Sequence, residues 1–121
     1  IDYTWYKNQM IRIVNNLKEA FPNTSFLLIG LGDKSAKQGT RFVTHSGVPL
    51  LINTQREIVK DTGISFWDKF EAMGGENSMT QWVNANPPLA SKDHSHYTGL
   101  GSSKMGNMII DAILQQYRTS N

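Results

Sequence analysis

The spacing of apolar residues predicts two helices, and the residues at the ends of a third segment predict another. Apolar side chains recur every three or four residues over 10–21 and again over 105–117, which places each set on one face of a helix. A shorter helix is predicted over 49–61, where a proline suits the first turn and a glycine follows the end. Ser102 or Ser103 is predicted to cap the start of the last helix by accepting a backbone N–H bond.

Two short apolar runs between these helices predict β-strands. The run over 25–30 is continuous rather than alternating, which favours a strand covered on both faces, as in a parallel sheet. A second strand is predicted over 64–67, whereas 31–47 and 76–97 are polar or irregular and are interpreted as loops. The alternation of helices and strands predicts an α/β fold with a parallel sheet.

Two parallel strands are too few for a sheet with both faces covered, so further strands are expected elsewhere. The chain also begins at Ile1 rather than at a methionine. We therefore expect that residues 1–121 are the C-terminal part of a single domain whose N-terminal strands are absent from this sequence.

Composition narrows the possible functions. The chain has 121 residues, of which 39% are hydrophobic and 18% charged, as expected for one folded domain. Twelve basic and ten acidic residues give a net charge of +2, which argues against nucleic-acid binding. There is no cysteine, so disulfides and thiolate metal sites are excluded within this chain. No apolar stretch predicts a membrane span, and no cofactor is predicted.

The stretch with the clearest chemistry precedes the last helix. Asp93 and His96 lie three residues apart. A carboxylate that accepts a bond from histidine Nδ1–H fixes the tautomer and leaves Nε2 as a base for a serine. The alternative is a solvated loop that only caps the helix.

This stretch resembles the last motif of the SGNH (GDSL-type) serine hydrolases, Asp-x-x-His followed by a glycine five residues after the histidine. Asp93, His96 and Gly101 match that pattern. The segment 62–68 resembles the penultimate strand of the family. The Gly-Gly-x-x-Ser-Met-x-x-Trp sequence over 74–82 is similar to the branch that includes peptidoglycan O-acetylesterases and related carbohydrate esterases.

The resemblance implies a fold and a function. The fold would be the C-terminal half of a three-layer α/β/α, flavodoxin-like sheet. The function would be hydrolysis of O-acetyl or other short acyl esters on a glycan such as peptidoglycan, in the periplasm or outside the cell. Asp93 and His96 would be catalytic. Ser78 and Trp82 are predicted to bind substrate, since an aromatic surface suits stacking on a sugar; the alternative is that Trp82 is simply part of the core.

The nucleophilic serine of the family is not recognisable in this chain. Gly32-Asp33-Lys34-Ser35 follows a strand but lies too close to His96 and carries an interrupting lysine, so Ser35 is not assigned as the nucleophile. The serine and the oxyanion donors would come from the missing N-terminal half, which is the expected partner. The chain alone is therefore expected to be inactive.

Two other functions stay open. One is a metal site formed by Asp93, His94, His96 and His45, because carboxylates and imidazoles are common ligands of zinc and iron. The other is a non-catalytic α/β interaction domain in which the loop is only structural. For His94 and His45 themselves, we expect exposed loop side chains.

Overall fold

A computed structural model describes residues 1–120. The chain forms two compact units, the first from 1–32 and 46–69 and the second from 33–45 and the chain from 70 onward. The elements, in chain order, are α1 (Thr4–Ala20), β1 (Leu27–Ile29), β2 (Ser35–Gln38), β3 (Arg41–Thr44), α2 (Gly47–Thr62), β4 (Ser65–Trp67), α3 (Lys69–Met73), α4 (Ser78–Val83) and α5 (Gly99–Ser120).

The first unit confirms the predicted α/β pattern. Strands β1 and β4 pair in parallel, with Leu28 opposite Phe66, and helices α1 and α2 pack against each other. Helix α2 ends where predicted, because Gly63 adopts a left-handed conformation with φ 75° and donates its N–H to the carbonyl of Val59. Ile52 and Ile58 of α2 are buried in the core.

The described residues do not cover both faces of the first strand, so its full coverage stays a prediction. Leu27 and Ile29 remain 41% and 43% exposed. They lie two residues apart, so they project from the same face of the sheet. The described residues supply only two strands to this sheet, and nothing among them covers that face fully.

The second unit contains elements that the sequence pattern did not predict. The segment 31–47, interpreted as a loop, contains an antiparallel hairpin of β2 and β3, in which Ser35 pairs with Thr44. Gly39, with φ 67°, forms part of its two-residue turn. The irregular stretch 76–97 contains the short helix α4.

The start of α5 also differs from the prediction. Thr98, not Ser102 or Ser103, caps it, because Thr98 Oγ1 accepts a hydrogen bond from the Gly101 amide at 3.1 Å. A Cβ at position 101 would lie 1.7 Å from the carbonyl oxygen of Leu89, so only glycine fits there. This contact places the helix start directly against the chain that leads into the predicted catalytic loop. Within residues 1–120, no helix combines the length and apolarity needed to cross a bilayer.

Candidate active site

Asp93 and His96 form the hydrogen-bonded pair that their spacing predicts. His96 Nδ1 lies 2.5 Å from Asp93 Oδ2. The other carboxylate oxygen, Oδ1, accepts the backbone N–H groups of Ser95 at 2.9 Å and His96 at 3.0 Å. Both oxygens of Asp93 are therefore held, one by the ring and one by the backbone of the same turn. This arrangement keeps the proton on Nδ1 of neutral His96 and leaves Nε2 as the basic nitrogen.

The electrostatics of the pair keep Asp93 ionised. The hydrogen bond from the His96 side chain, together with the amides of His96 and Ser95, lowers the pKa of Asp93 from 3.8 to about 2. The side chains of His96 and Asp93 are 80% and 49% exposed, so the imidazole is open to a reacting group. A fixed carboxylate beside an accessible imidazole can stabilise the imidazolium that forms when His96 accepts a proton.

The loop that carries the pair is closed on itself. The Ser91 amide donates to the carbonyl of His96 at 2.8 Å, and the His94 amide donates to the carbonyl of Ser91 at 3.0 Å. At the base of the loop, Ala90 forms an isolated antiparallel bridge with Tyr97. Tyr97 in turn packs on Trp82, with ring centroids 5.5 Å apart. The turn therefore projects from the core of the second unit while its base is anchored there.

The expectation that His94 is an exposed loop side chain was wrong. His94 is only 8% exposed, and its ring stacks on Phe42 with centroids 3.7 Å apart and planes inclined by 5°. Its Nδ1 donates to the carbonyl of Lys92 at 2.9 Å. Sequence reasoning had no signal for this burial, because the stacking partner belongs to the hairpin that was interpreted as loop. His45 is exposed, as expected.

The metal-site hypothesis gains no support from this geometry. Within residues 1–120, no three side chains of histidine, aspartate or glutamate are grouped so that they could hold a metal ion. His94 contributes to the packing of the loop instead.

Ser78 and Trp82, predicted to bind substrate, are buried in the second unit. Ser78 is fully buried, and Trp82 donates its indole N–H to the carbonyl of Met73 at 3.0 Å. Neither side chain offers an open surface in this structure, and their contact with substrate stays a prediction.

Asp33 and Ser35 occupy the interior of the same unit. Asp33 Oδ2 accepts the amide of Met79 at 2.8 Å, which fixes the start of α4. The pKa of Tyr97 is raised, first because its own hydroxyl is partly buried and second because the negative charge of Asp33 opposes its ionisation. The Ser35 side chain is buried and its hydroxyl has no hydrogen-bond partner. Ser35 thus lacks the bond to a histidine that would activate it as a nucleophile.

No family model and no curated protein matches the sequence. The chain does superpose on a solved structure of a peptidoglycan O-acetylesterase with a TM-score of 0.89 and 23% sequence identity. The superposition covers 98% of this chain and 34% of that chain, so the present sequence spans about a third of the esterase. The family resemblance seen in the sequence is therefore confirmed for the fold: almost the whole chain shares the α/β fold of a segment of a peptidoglycan O-acetylesterase.

Proposed function

We propose that this chain is the histidine–aspartate part of an SGNH-type serine esterase that removes O-acetyl groups from a glycan such as peptidoglycan. The observation that carries the proposal is the pair itself, in which Asp93 is held by three hydrogen bonds and His96 is open to solvent. The shared fold supports the esterase assignment, and the structural neighbour, a peptidoglycan O-acetylesterase, supports the choice of ester. A glycan substrate of this kind would place the protein in the periplasm or outside the cell.

In the proposed mechanism His96 transfers protons, Asp93 holds the ring of His96, and a serine outside this chain is the nucleophile. A serine from the N-terminal half attacks the carbonyl carbon of the ester, and His96 Nε2 takes the serine proton. Asp93 holds the ring and stabilises the imidazolium. His96 then donates that proton to the oxygen of the departing sugar, which leaves an acyl-serine. In the second half-reaction His96 takes a proton from water and the resulting hydroxide attacks the carbonyl carbon of the acyl-serine. His96 then returns that proton to the serine oxygen as the acyl–serine bond breaks, which releases acetate and regenerates the free serine.

The exposed apolar side chains of the first unit support the need for an N-terminal half. Leu27 and Ile29 project from one face of the parallel sheet and are about two-fifths exposed. Covering the rest of each would stabilise the fold by about 1 kcal/mol per side chain. In a parallel α/β fold, further strands extend such a sheet and helices cover its faces, so we propose that the N-terminal half supplies them.

Helix α5 of the second unit carries a similar stripe. Ile110, Ile113, Leu114 and Tyr117 are all at least 42% exposed. They recur at spacings of three and four, so they share one side of the helix. We propose that the same N-terminal half covers this stripe.

Active-site labelling tests the proposed function. The intact polypeptide that contains this chain and the N-terminal half would be treated with a fluorophosphonate and analysed by denaturing mass spectrometry. We expect the label on a serine outside residues 1–121 and release of acetate from O-acetylated peptidoglycan. His96→Ala should abolish both, because the serine then has no base.

His45→Ala provides the matched control, because His45 is an exposed histidine of the same unit outside the loop. Its labelling and acetate release should equal those of the unmodified protein. Unchanged activity in His96→Ala, or a label on Ser35, would contradict the proposal.

A further inference from the structure

The hairpin β2–β3 contacts His94, which lies at the middle of the loop 91–97 that carries Asp93 and His96. The Ser35 amide donates to the carbonyl of His94 at 3.1 Å. The ring of Phe42 covers the ring of His94 at a centroid distance of 3.7 Å. The backbone and the side chain of His94 are thus both fixed by one hairpin. Among the described residues, neither Asp93 nor His96 has a hydrogen bond to that hairpin, so the hairpin reaches the pair through His94.

The hairpin is itself anchored. Thr44 at its end exchanges two hydrogen bonds with Asn77, since the Thr44 amide donates to Asn77 Oδ1 at 3.1 Å and the Asn77 amide donates to Thr44 Oγ1 at 2.8 Å. The His45 amide donates to the carbonyl of Lys34 at 2.7 Å and closes the open end of the hairpin. Phe42 therefore presents its ring from a fixed support.

The conformation of His94 decides the geometry of the pair. His94 has a φ of 58°, in the left-handed region that residues with a Cβ rarely adopt. Such a conformation persists only where the surrounding structure holds it. The turn at His94 directs the next two amides, those of Ser95 and His96, back to Asp93 Oδ1. If His94 relaxed to an extended conformation, both amides would leave the carboxylate and His96 would move with them.

We propose that Phe42 is a positioning residue for the esterase reaction, because its stack on His94 holds the left-handed turn that aligns Asp93 with His96. This inference rests on the proposed function for its effect on rate. Phe42 acts through His94 and touches no reacting atom. Loss of the ring therefore lowers the fraction of molecules with an aligned pair and leaves the substrate contacts intact.

Phe42→Leu tests the inference in the intact polypeptide, because leucine is apolar but has no ring. We expect kcat for acetate release to fall about 10- to 100-fold with KM within twofold, since small misplacements of a catalytic group cost that much. Phe42→Tyr keeps the ring and should restore kcat. Thr40→Ala, at the exposed turn of the same hairpin, is the matched control and should leave kcat unchanged.

A second readout does not depend on turnover. The Nδ1 proton of His96, held against Asp93 Oδ2 at 2.5 Å, should give a far-downfield proton resonance. The signal should persist in Phe42→Tyr and disappear in Phe42→Leu. If Phe42→Leu does not fold, Phe42→Met gives the same test, since methionine fills the space without a ring.

The outcomes separate this inference from the proposed function. A kcat within twofold of the unmodified protein in Phe42→Leu, while His96→Ala is inactive, would overturn the positioning role alone. Full activity in His96→Ala would overturn the proposed function, and the resonance would then decide whether Phe42 aligns the pair. Retention of the resonance in Phe42→Leu overturns the inference in either case.

Discussion

Replacing Gly101 by alanine should unfold the start of α5. The added Cβ would lie 1.7 Å from the carbonyl oxygen of Leu89. An ordinary carbon–oxygen contact is about 3.3 Å, so the two segments must separate by about 1.6 Å. Neither segment can move freely. The Leu89 carbonyl accepts a hydrogen bond from the Thr98 amide at 3.1 Å, and the Leu89 amide donates one to the backbone carbonyl of Trp82 at 2.9 Å.

The structure gives the size of this effect. Breaking the two hydrogen bonds of Leu89 costs about 1 kcal/mol each. Residual overpacking costs a further 1–3 kcal/mol, roughly. We therefore expect Gly101→Ala to lower the free energy of unfolding by about 4 kcal/mol. Effects of that size belong to the extreme end of single substitutions.

Urea denaturation followed by tryptophan fluorescence measures this change in the intact polypeptide. Gly106→Ala is the matched control, because Gly106 lies in the same helix with nothing within 4 Å of an added Cβ. That variant should gain about 0.5–1 kcal/mol, since alanine is the better helix former. If Gly101→Ala unfolds within 1 kcal/mol of the unmodified protein, the close approach to Leu89 is refuted.

Further predictions concern the candidate pair, the helix cap and the exposed sheet. Asp93→Asn should reduce kcat on the order of 10⁴-fold in an acetate-release assay, because the amide no longer fixes the tautomer or stabilises the imidazolium. The lowered pKa of Asp93 means that its hydrogen bonds stabilise the fold above the ordinary value of 3.8 and are lost as the pH falls through about 2. The difference in urea midpoint between the unmodified protein and Asp93→Asn should therefore be full at pH 5 and much smaller at pH 2. Thr98→Ala should cost about 1 kcal/mol in the same denaturation, and Thr98→Ser should recover most of it. Ile29→Lys should prevent this chain from associating with a separately produced N-terminal half in size-exclusion chromatography, whereas Lys60→Ala should not.

The sequence pattern was most informative where a regular spacing of apolar residues continued over many residues. Helices α1 and α5 were predicted because each repeats its apolar spacing over several turns, and α2 was predicted from the proline and glycine at its two ends. The Asp93–His96 bond was predicted because three-residue spacing in a turn brings the two side chains together. Such contacts are local, so one sequence contains the information needed to predict them.

The missed features depend on short elements or distant partners. Strands β2 and β3 have four residues each, too few for alternation to be recognised, although Gly39 at the first position of the two-residue turn is a usable hairpin signal. The burial of His94 depends on Phe42, which is distant in sequence. The exposure of Ile29 depends on which elements pack on that face of the sheet, and no pattern within residues 25–30 reports whether those elements belong to this chain.

The incomplete parallel pair has a consequence for the order of synthesis. Strands β1 and β4 each leave one edge unpaired among the described residues, and an open edge templates pairing with other chains. If an N-terminal half completes the sheet, it leaves the ribosome first and is available when β1 emerges. A circular permutant that begins at residue 25 and carries that half at its end would reverse this order. We expect such a permutant to aggregate during expression even though its native contacts would be the same.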